Sequence, residues 1–384
     1  MPTTRLKNDV YRLMLPFFSP GAGKEPITDV YGHPLNQLPA YRHLIRKHHV
    51  LGSAALIASG QHESVILSKS DDPCHIAAED TYFRVASITK MATAAVAMML
   101  VDKKLISLDD EITAYLPLSV IPDELKGVTL RHLLSHMSGL KDPIDLEQKL
   151  ENSVPLSEAV RNARVSMPGK NFLYSNLGFG LIGCMLESVM NLPVDRIFEM
   201  ELFKPLNMNS TLSGCSLPCE RIMPVTRVLP YRKGQDLILT KLGRNPLNRC
   251  DPLRHYGHTA GSMYTDIRSL KSLLRLLIDN TGGLLSDGSL SEMKKVHAFY
   301  GSASPTLSYG LGLLRINDPR VSHSPVWGHQ GFAYGCADCA FWEENTSRIM
   351  IFLNGGCSEA RSGRLGTANR EFSAWAFRKE LPDW

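Results

Sequence analysis

Ser87 and Lys90, in the stretch Phe83-Arg84-Val85-Ala86-Ser87-Ile88-Thr89-Lys90, stand three residues apart at the head of an Ala- and Met-rich segment with good helix propensity. On a helix that spacing puts both side chains on one face. A serine hydroxyl is a weak nucleophile until a base removes its proton, and burial pushes a neighbouring lysine towards its neutral, basic form. The partial positive charge at a helix start also favours an oxyanion there. The plainer alternative is an N-cap serine followed by an exposed lysine, so the pair needs company before it means catalysis.

Two later stretches supply that company. Tyr174-Ser175-Asn176 follows a turn at Pro168-Gly169 and leads into an apolar helical run, and a loop just ahead of a helix projects side chains into a cleft. There Tyr174 would act as a general base near Lys90, and Asn176 would donate to a substrate carbonyl or to the surroundings of Lys90. Read structurally, the same two residues are a half-buried ring and a helix cap. In Trp327-Gly328-His329-Gln330-Gly331-Phe332 the pattern is that of a strand, whose glycines let another backbone or a substrate come close. Its amides would pair with an extended acyl group, one of them facing the oxyanion. His329 would hold a substrate carboxylate or assist proton transfer; its ordinary alternative is a structural histidine.

The elements that must carry these residues follow from periodicity. Leu38 to His49 has helical spacing, with Tyr41, Leu44 and Ile45 on one face, and Gly52–Ala58 and Glu63–Ser68 read as paired antiparallel strands. The middle of the chain is mostly helical, most clearly over Leu177–Met190. Strands return at Tyr309–Ile316, Val326–Phe332, Cys339–Trp342 and Ser347–Leu353, before a closing helix from Thr367 to Lys379. Strands at both ends around a helical middle give an α+β fold: an antiparallel sheet flanked by helices, built from the N- and C-terminal parts, with an inserted all-helical lobe. Residues 1–35, rich in Pro and Gly, read as an arm. Residues 36–384 form the catalytic domain, with 36–86 and 255–384 as its α/β lobe and 87–254 as its mainly helical lobe. Ser87 falls at the junction, where a cleft suits a ligand.

Composition narrows the partners. The 384 residues carry a net charge of +4, with 43% hydrophobic and 21% charged residues, the profile of a globular chain with a sizeable core. No Lys/Arg block is interleaved with aromatics, which argues against nucleic acid. The apolar clump Leu13–Phe18 is broken by Pro16, and the run Met91–Val101 is too short to cross a bilayer, so no membrane span and a cytoplasmic location are expected. Among the eight cysteines, Cys215/Cys219 lacks zinc-finger company and Cys336/Cys339 would point to opposite faces of a strand, so free thiols and no metal are expected.

Ser87-Ile88-Thr89-Lys90, Tyr174-Ser175-Asn176 and His329-Gln330-Gly331 occur in the order and at roughly the spacing of the three motifs of the penicillin-recognising serine hydrolases, and the chain resembles that superfamily. The tyrosine of the second motif and the histidine of the third make it most similar to the branch holding class C β-lactamases, D-alanyl-D-alanine carboxypeptidases, D-aminopeptidases and β-lactamase-like esterases. Val128–Leu140, Phe172–Phe179 and Gly257–Thr265 are similar to stretches common in that branch. The resemblance implies a β-lactamase/transpeptidase-like fold in which Ser87 is acylated and Lys90 and Tyr174 share the proton transfers. It implies further that Asn176 orients Lys90 and the substrate amide, that the backbone N–H groups of Ser87 and Phe332 form the oxyanion hole, and that water releases the acyl group without a cofactor. The substrate would be a small ester, amide, short peptide or β-lactam. Two departures point away from a dedicated β-lactamase: His329 stands where class C enzymes have lysine, weakening the permanent positive charge, and Gln330 replaces the usual Thr or Ser. The alternative is a catalytically weak penicillin-binding or ligand-sensing protein of the same fold. Ser210–Asn248 is expected to cover the cleft, and the oligomeric state stays open.

Overall fold

The computed structural model describes residues 10, 13–15, 17, 21–32, 35, 37–116, 123–142, 156–161, 163–214, 217–228, 231–233, 257–300, 306–333, 335–359 and 365–378. Cys215 and Cys250, and much of the stretch expected to cover the cleft, lie outside them. The main sheet has nine strands: β1 (Ile27–Gly32), β2 (Ser53–Ser59), β3 (His62–Ser68), β4 (Ala298–Phe299), β5 (Leu307–Tyr309), β6 (Leu314–Ile316), β7 (Val326–Ala333), β8 (Cys336–Glu343) and β9 (Ile349–Asn354). Their spatial order is β1-β3-β2-β9-β8-β7-β6-β5-β4, with every neighbouring pair antiparallel. Six named helices matter for the site: α1 (Leu38–Lys47), α2 (Thr89–Asp102), α3 (Leu130–Leu134), α4 (Asn176–Met190), α5 (Ile267–Asp279) and α6 (Thr367–Phe377).

Alternation along the central strands explains the layering. Ala54 and Leu56 of β2 and Ile351 of β9 belong to one core with α2, α4 and α5, whereas Ala55, Ile57 and Phe352 belong to another with α1 and α6. A period of two sends neighbouring residues to opposite faces, and both faces here are covered, so the strands are apolar throughout. Phe352 stacks on Phe372 at 3.8 Å, and Tyr41 meets Phe372 edge-on at 5.5 Å, fastening α6 and α1 to the sheet. Helix α2 is apolar on every side, and Thr89 through Leu100 are all buried, as befits a helix surrounded by protein.

The α+β architecture agrees with the expectation, while three local readings change. Ile27–Gly32, inside the stretch read as an arm, is an edge strand paired with β3. Tyr309–Ile316 is a hairpin and not one strand: the N–H of Gly310 donates to the carbonyl of Leu313 at 2.8 Å, and Gly312 takes φ +70°, open to glycine at little cost. The late part of the sheet thus holds six strands where three or four were expected, the short Ala298–Phe299 being one more. Cys336 and Cys339 do face opposite cores as free thiols. Among the described residues, no single helix is long and apolar enough to cross a membrane.

Candidate active site

Ser87 sits in a single 3₁₀ turn, Ala86–Ile88, that opens directly into α2. Ala86 has φ +47°, a conformation that strains a residue with a side chain. The turn is held by its surroundings: Thr89 Oγ1 donates to the Ala86 carbonyl at 2.6 Å and accepts the N–H of Met263 at 3.1 Å. Strand β7 presses on it from the other side. A Cβ on Gly331 would stand 2.3 Å from the Val85 carbonyl oxygen, so the close approach allowed by this glycine brings in another stretch of backbone.

Lys90, the second residue of α2 and one turn on from Ser87, is fully buried. Its Nζ donates to the Ala260 carbonyl at 2.6 Å, to Asn176 Oδ1 at 2.7 Å and to Ser87 Oγ at 3.1 Å. Burial lowers its pKa to about 7, against the opposing pull of the Asp142 carboxylate. The Nζ also lies 4.9 Å from the centre of the Tyr174 ring. Tyr174 is hydrogen-bonded to the Ser87 side chain, and burial raises its pKa, so it remains a phenol at neutral pH. Tyr174 was expected as a general base near Lys90; with the phenol protonated at neutral pH and the Lys90 pKa at about 7, Lys90 is the group closer to losing its proton.

Asn176 is the first residue of α4, behind the N-cap Ser175, whose Oγ accepts the N–H of Gly178 at 3.0 Å. A residue that the sequence reading passed over fixes this helix start. Asp142 accepts from Ser175 Oγ at 3.0 Å, the Asn176 N–H at 3.0 Å, Asn176 Nδ2 at 2.9 Å and the Leu177 N–H at 2.9 Å. His136, also passed over, is buried at φ +59°; its Nδ1 accepts the Ser175 N–H at 3.2 Å, and its ring lies 4.3 Å from that of Tyr174.

His329 differs from expectation. Its Nδ1 lies 2.6 Å from the Gln330 carbonyl, which can only accept, so Nδ1 carries the proton and Nε2 accepts from Tyr309 Oη at 3.1 Å. Burial, then the nearby Lys90, lowers its pKa to about 3. A neutral imidazole with both nitrogens engaged is not a cationic anchor for a carboxylate. The side chain of Gln330 turns away to accept the Gly366 N–H at 3.1 Å.

These residues surround a cavity of about 300 Å³ lined by Ser87, Tyr174, Asn176, Tyr300, Tyr309, His329, Gln330 and Phe332. Five of the seven residues expected from sequence line it, Ser87, Tyr174, Asn176, His329 and Phe332, while Lys90 lies buried beneath, on the Ser87 hydroxyl, and Gly331 stands behind the Ser87 turn. A groove of about 510 Å³ between α1 and α6 is larger, but its described lining of Ala40, Leu44, Ala374 and Trp375 with His43, Glu371 and Arg378 holds no serine, threonine, cysteine or lysine.

A serine at a strained helix start, a buried lysine on its hydroxyl and a tyrosine beside both, on a helix-flanked antiparallel sheet, define the class: a serine hydrolase scaffold. The chain belongs to the Beta-lactamase family, whose model matches residues 40–371. It is 25% identical over 386 residues to the esterase EstB of Burkholderia gladioli, covering 85% of this chain and 91% of that one. It is 27% identical over 265 residues to penicillin-binding protein 4* of Bacillus subtilis (strain 168), covering 65% of this chain and 56% of the relative. Its fold is shared with a D-amino acid amidase from Ochrobactrum anthropi SV3 solved with D-phenylalanine, at a TM-score of 0.69 and 22% identity over 87% of this chain and 94% of that one.

Proposed function

We propose that the protein hydrolyses a small ester or amide through an acyl-enzyme on Ser87, in the cleft between the lobe of residues 36–86 and 255–384 and the lobe of residues 87–254. The observation that carries this reading is the hydrogen bonding of Lys90. As an ammonium it has three N–H groups for its three acceptors. As a neutral amine it keeps two, which the Ala260 carbonyl and Asn176 Oδ1 take up, and its lone pair then faces Ser87 Oγ. Lys90 is thus the base that takes the serine proton, and Tyr174, hydrogen-bonded to the same hydroxyl, is the phenol that passes a proton to the leaving group. The backbone N–H groups of Ser87 and Phe332, both at the cavity wall, serve as the oxyanion hole, and a water assisted by the same pair releases the acyl group.

The cavity wall favours an uncharged acyl group. Tyr174, Tyr300, Tyr309 and Phe332 present rings, His329 is neutral, and none of the described lining residues is a cation that would pair with a carboxylate. The esterase relative and the amidase fold neighbour accord with such a substrate. Free thiols at Cys336 and Cys339 accord with a reducing, cytoplasmic setting.

The test is turnover and intact mass with p-nitrophenyl butyrate and with a fluorescent penicillin, wild type against Ser87→Ala. The expected result is ester hydrolysis and a transient acyl adduct that both disappear in the variant, with the ester consumed much faster than the carboxylate-bearing penicillin. A stable adduct without turnover would make the protein a penicillin-binding or sensing protein, and equal activity in Ser87→Ala would remove the mechanism.

A further inference from the structure

Asp142 lies in the loop after α3, tied down by the Lys141 N–H on the Ala163 carbonyl at 2.9 Å and a bridge between Leu140 and Arg164. Its carboxylate accepts four hydrogen bonds, two at each oxygen, all from the start of α4. Three of them cap a helix. The fourth, from Asn176 Nδ2, does something a cap does not need: it decides which way round the Asn176 amide sits. With its NH₂ held by Asp142, Asn176 can offer only its oxygen to Lys90. The opposite orientation would aim an NH₂ group at Lys90, and a neutral amine would then turn its lone pair to Asn176 and away from Ser87.

We propose that Asp142 is a positioning residue of the catalytic centre, which acts through the Asn176 amide to direct the lone pair of Lys90 at Ser87. The proposal rests on the reading of Ser87 as nucleophile and Lys90 as base. The titratable groups around Lys90 are Tyr174 on the loop before α4, His136 after α3, His329 on β7 and Asp142 itself. Tyr174, His136 and His329 are neutral at pH 7, so Asp142 is the acid among these described neighbours, and its charge also opposes the loss of the Lys90 proton.

The experiment follows the rate at which a fluorophosphonate probe phosphonylates Ser87, read by intact mass across a pH series and normalised to folded protein by thermal melting. In that step the serine oxygen bonds to phosphorus, fluoride leaves, and the serine proton passes to Lys90. Asp142→Asn should slow labelling about 100-fold, the usual effect of small misplacement in a catalytic array. The double variant D142N/N176D should recover about tenfold of that loss, because the amide introduced at position 142 can donate to a carboxylate at position 176 whose other oxygen again accepts from Lys90. Its acidic limb should move to higher pH, since the new carboxylate touches Lys90. A carboxylate that merely capped α4 would give no recovery in the double variant, because both variants leave the helix start the same single acceptor oxygen at position 142. Labelling of D142N within about threefold of wild type, well short of the loss that misplacement brings, or a double variant no faster than D142N, overturns the role of Asp142 alone. Labelling that persists in Ser87→Ala overturns the nucleophile assignment and this role with it.

Discussion

At the scale of single residues, the proposed mechanism turns on the ionisation of Lys90. Its pKa falls from 10.5 to about 7, chiefly because burial disfavours the ammonium. The active form is the neutral amine, so activity is lost as pH falls through the folded-state value and gained as pH rises above it. The kcat/KM for an uncharged ester should therefore show an acidic limb with its midpoint near pH 7. Lys90→Arg keeps a cation of similar reach but never loses its proton. It should cost about 10³-fold in kcat/KM, within the range for removing a general base, and abolish that limb. His329 contributes no limb at physiological pH, because it is already neutral there.

At the scale of elements, the site depends on how closely β7 lies against the nucleophile turn. Gly331→Ala would put a methyl group 2.3 Å from the Val85 carbonyl oxygen, and either the strand or the turn must shift. The expected cost is about 1 to 3 kcal/mol of stability, as for other overpacked sites, with a fall in kcat larger than any rise in KM; urea unfolding and ester kinetics on the same preparation check it. The elements themselves were differently legible. Helix α2 and strands β2, β3 and β9 announce themselves through their largely apolar runs, and the Ser-x-x-Lys pair reads directly because helical spacing alone joins its members. The hairpin at Tyr309–Ile316 did not, since its turn residues, Gly310 to Leu313, sit within a continuously apolar pattern. Strand β1 was hidden in Pro- and Gly-rich sequence at a mostly exposed edge. Asp142 carried no local signal: its partners are 33 to 35 residues away, and only the fold brings them together. The neutrality of His329 was equally out of reach, because it comes from burial and from the charge of Lys90, which only the fold brings near.

At the scale of the whole molecule, one sheet serves two cores, and the site draws on both: helix α2 behind Ser87 packs in one, while Tyr309 belongs to the other and Tyr174, Tyr300 and Phe332 pack against it. The second core is fastened by aromatic contacts of Phe372 with Phe352, Tyr41 and His48. Phe372→Ala should cost about 3 to 5 kcal/mol and lower the melting temperature, while ester turnover per folded molecule at low temperature stays near wild type; calorimetry beside kinetics tests that separation. The order of the sheet has another consequence, for the newly made chain. Strand β9, the last of the nine to be synthesised, lies between β2 and β8, and is the strand that joins the early hairpin to the late strands. Until residues 349–354 have left the ribosome, β2 keeps an open hydrogen-bonding edge and β7 lacks the finished sheet that holds it against Ser87. The proposed nucleophile is therefore made early and positioned late, only when nearly the whole chain has been translated, and the waiting edge of β2 is the surface on which a chaperone or a stray strand would act first.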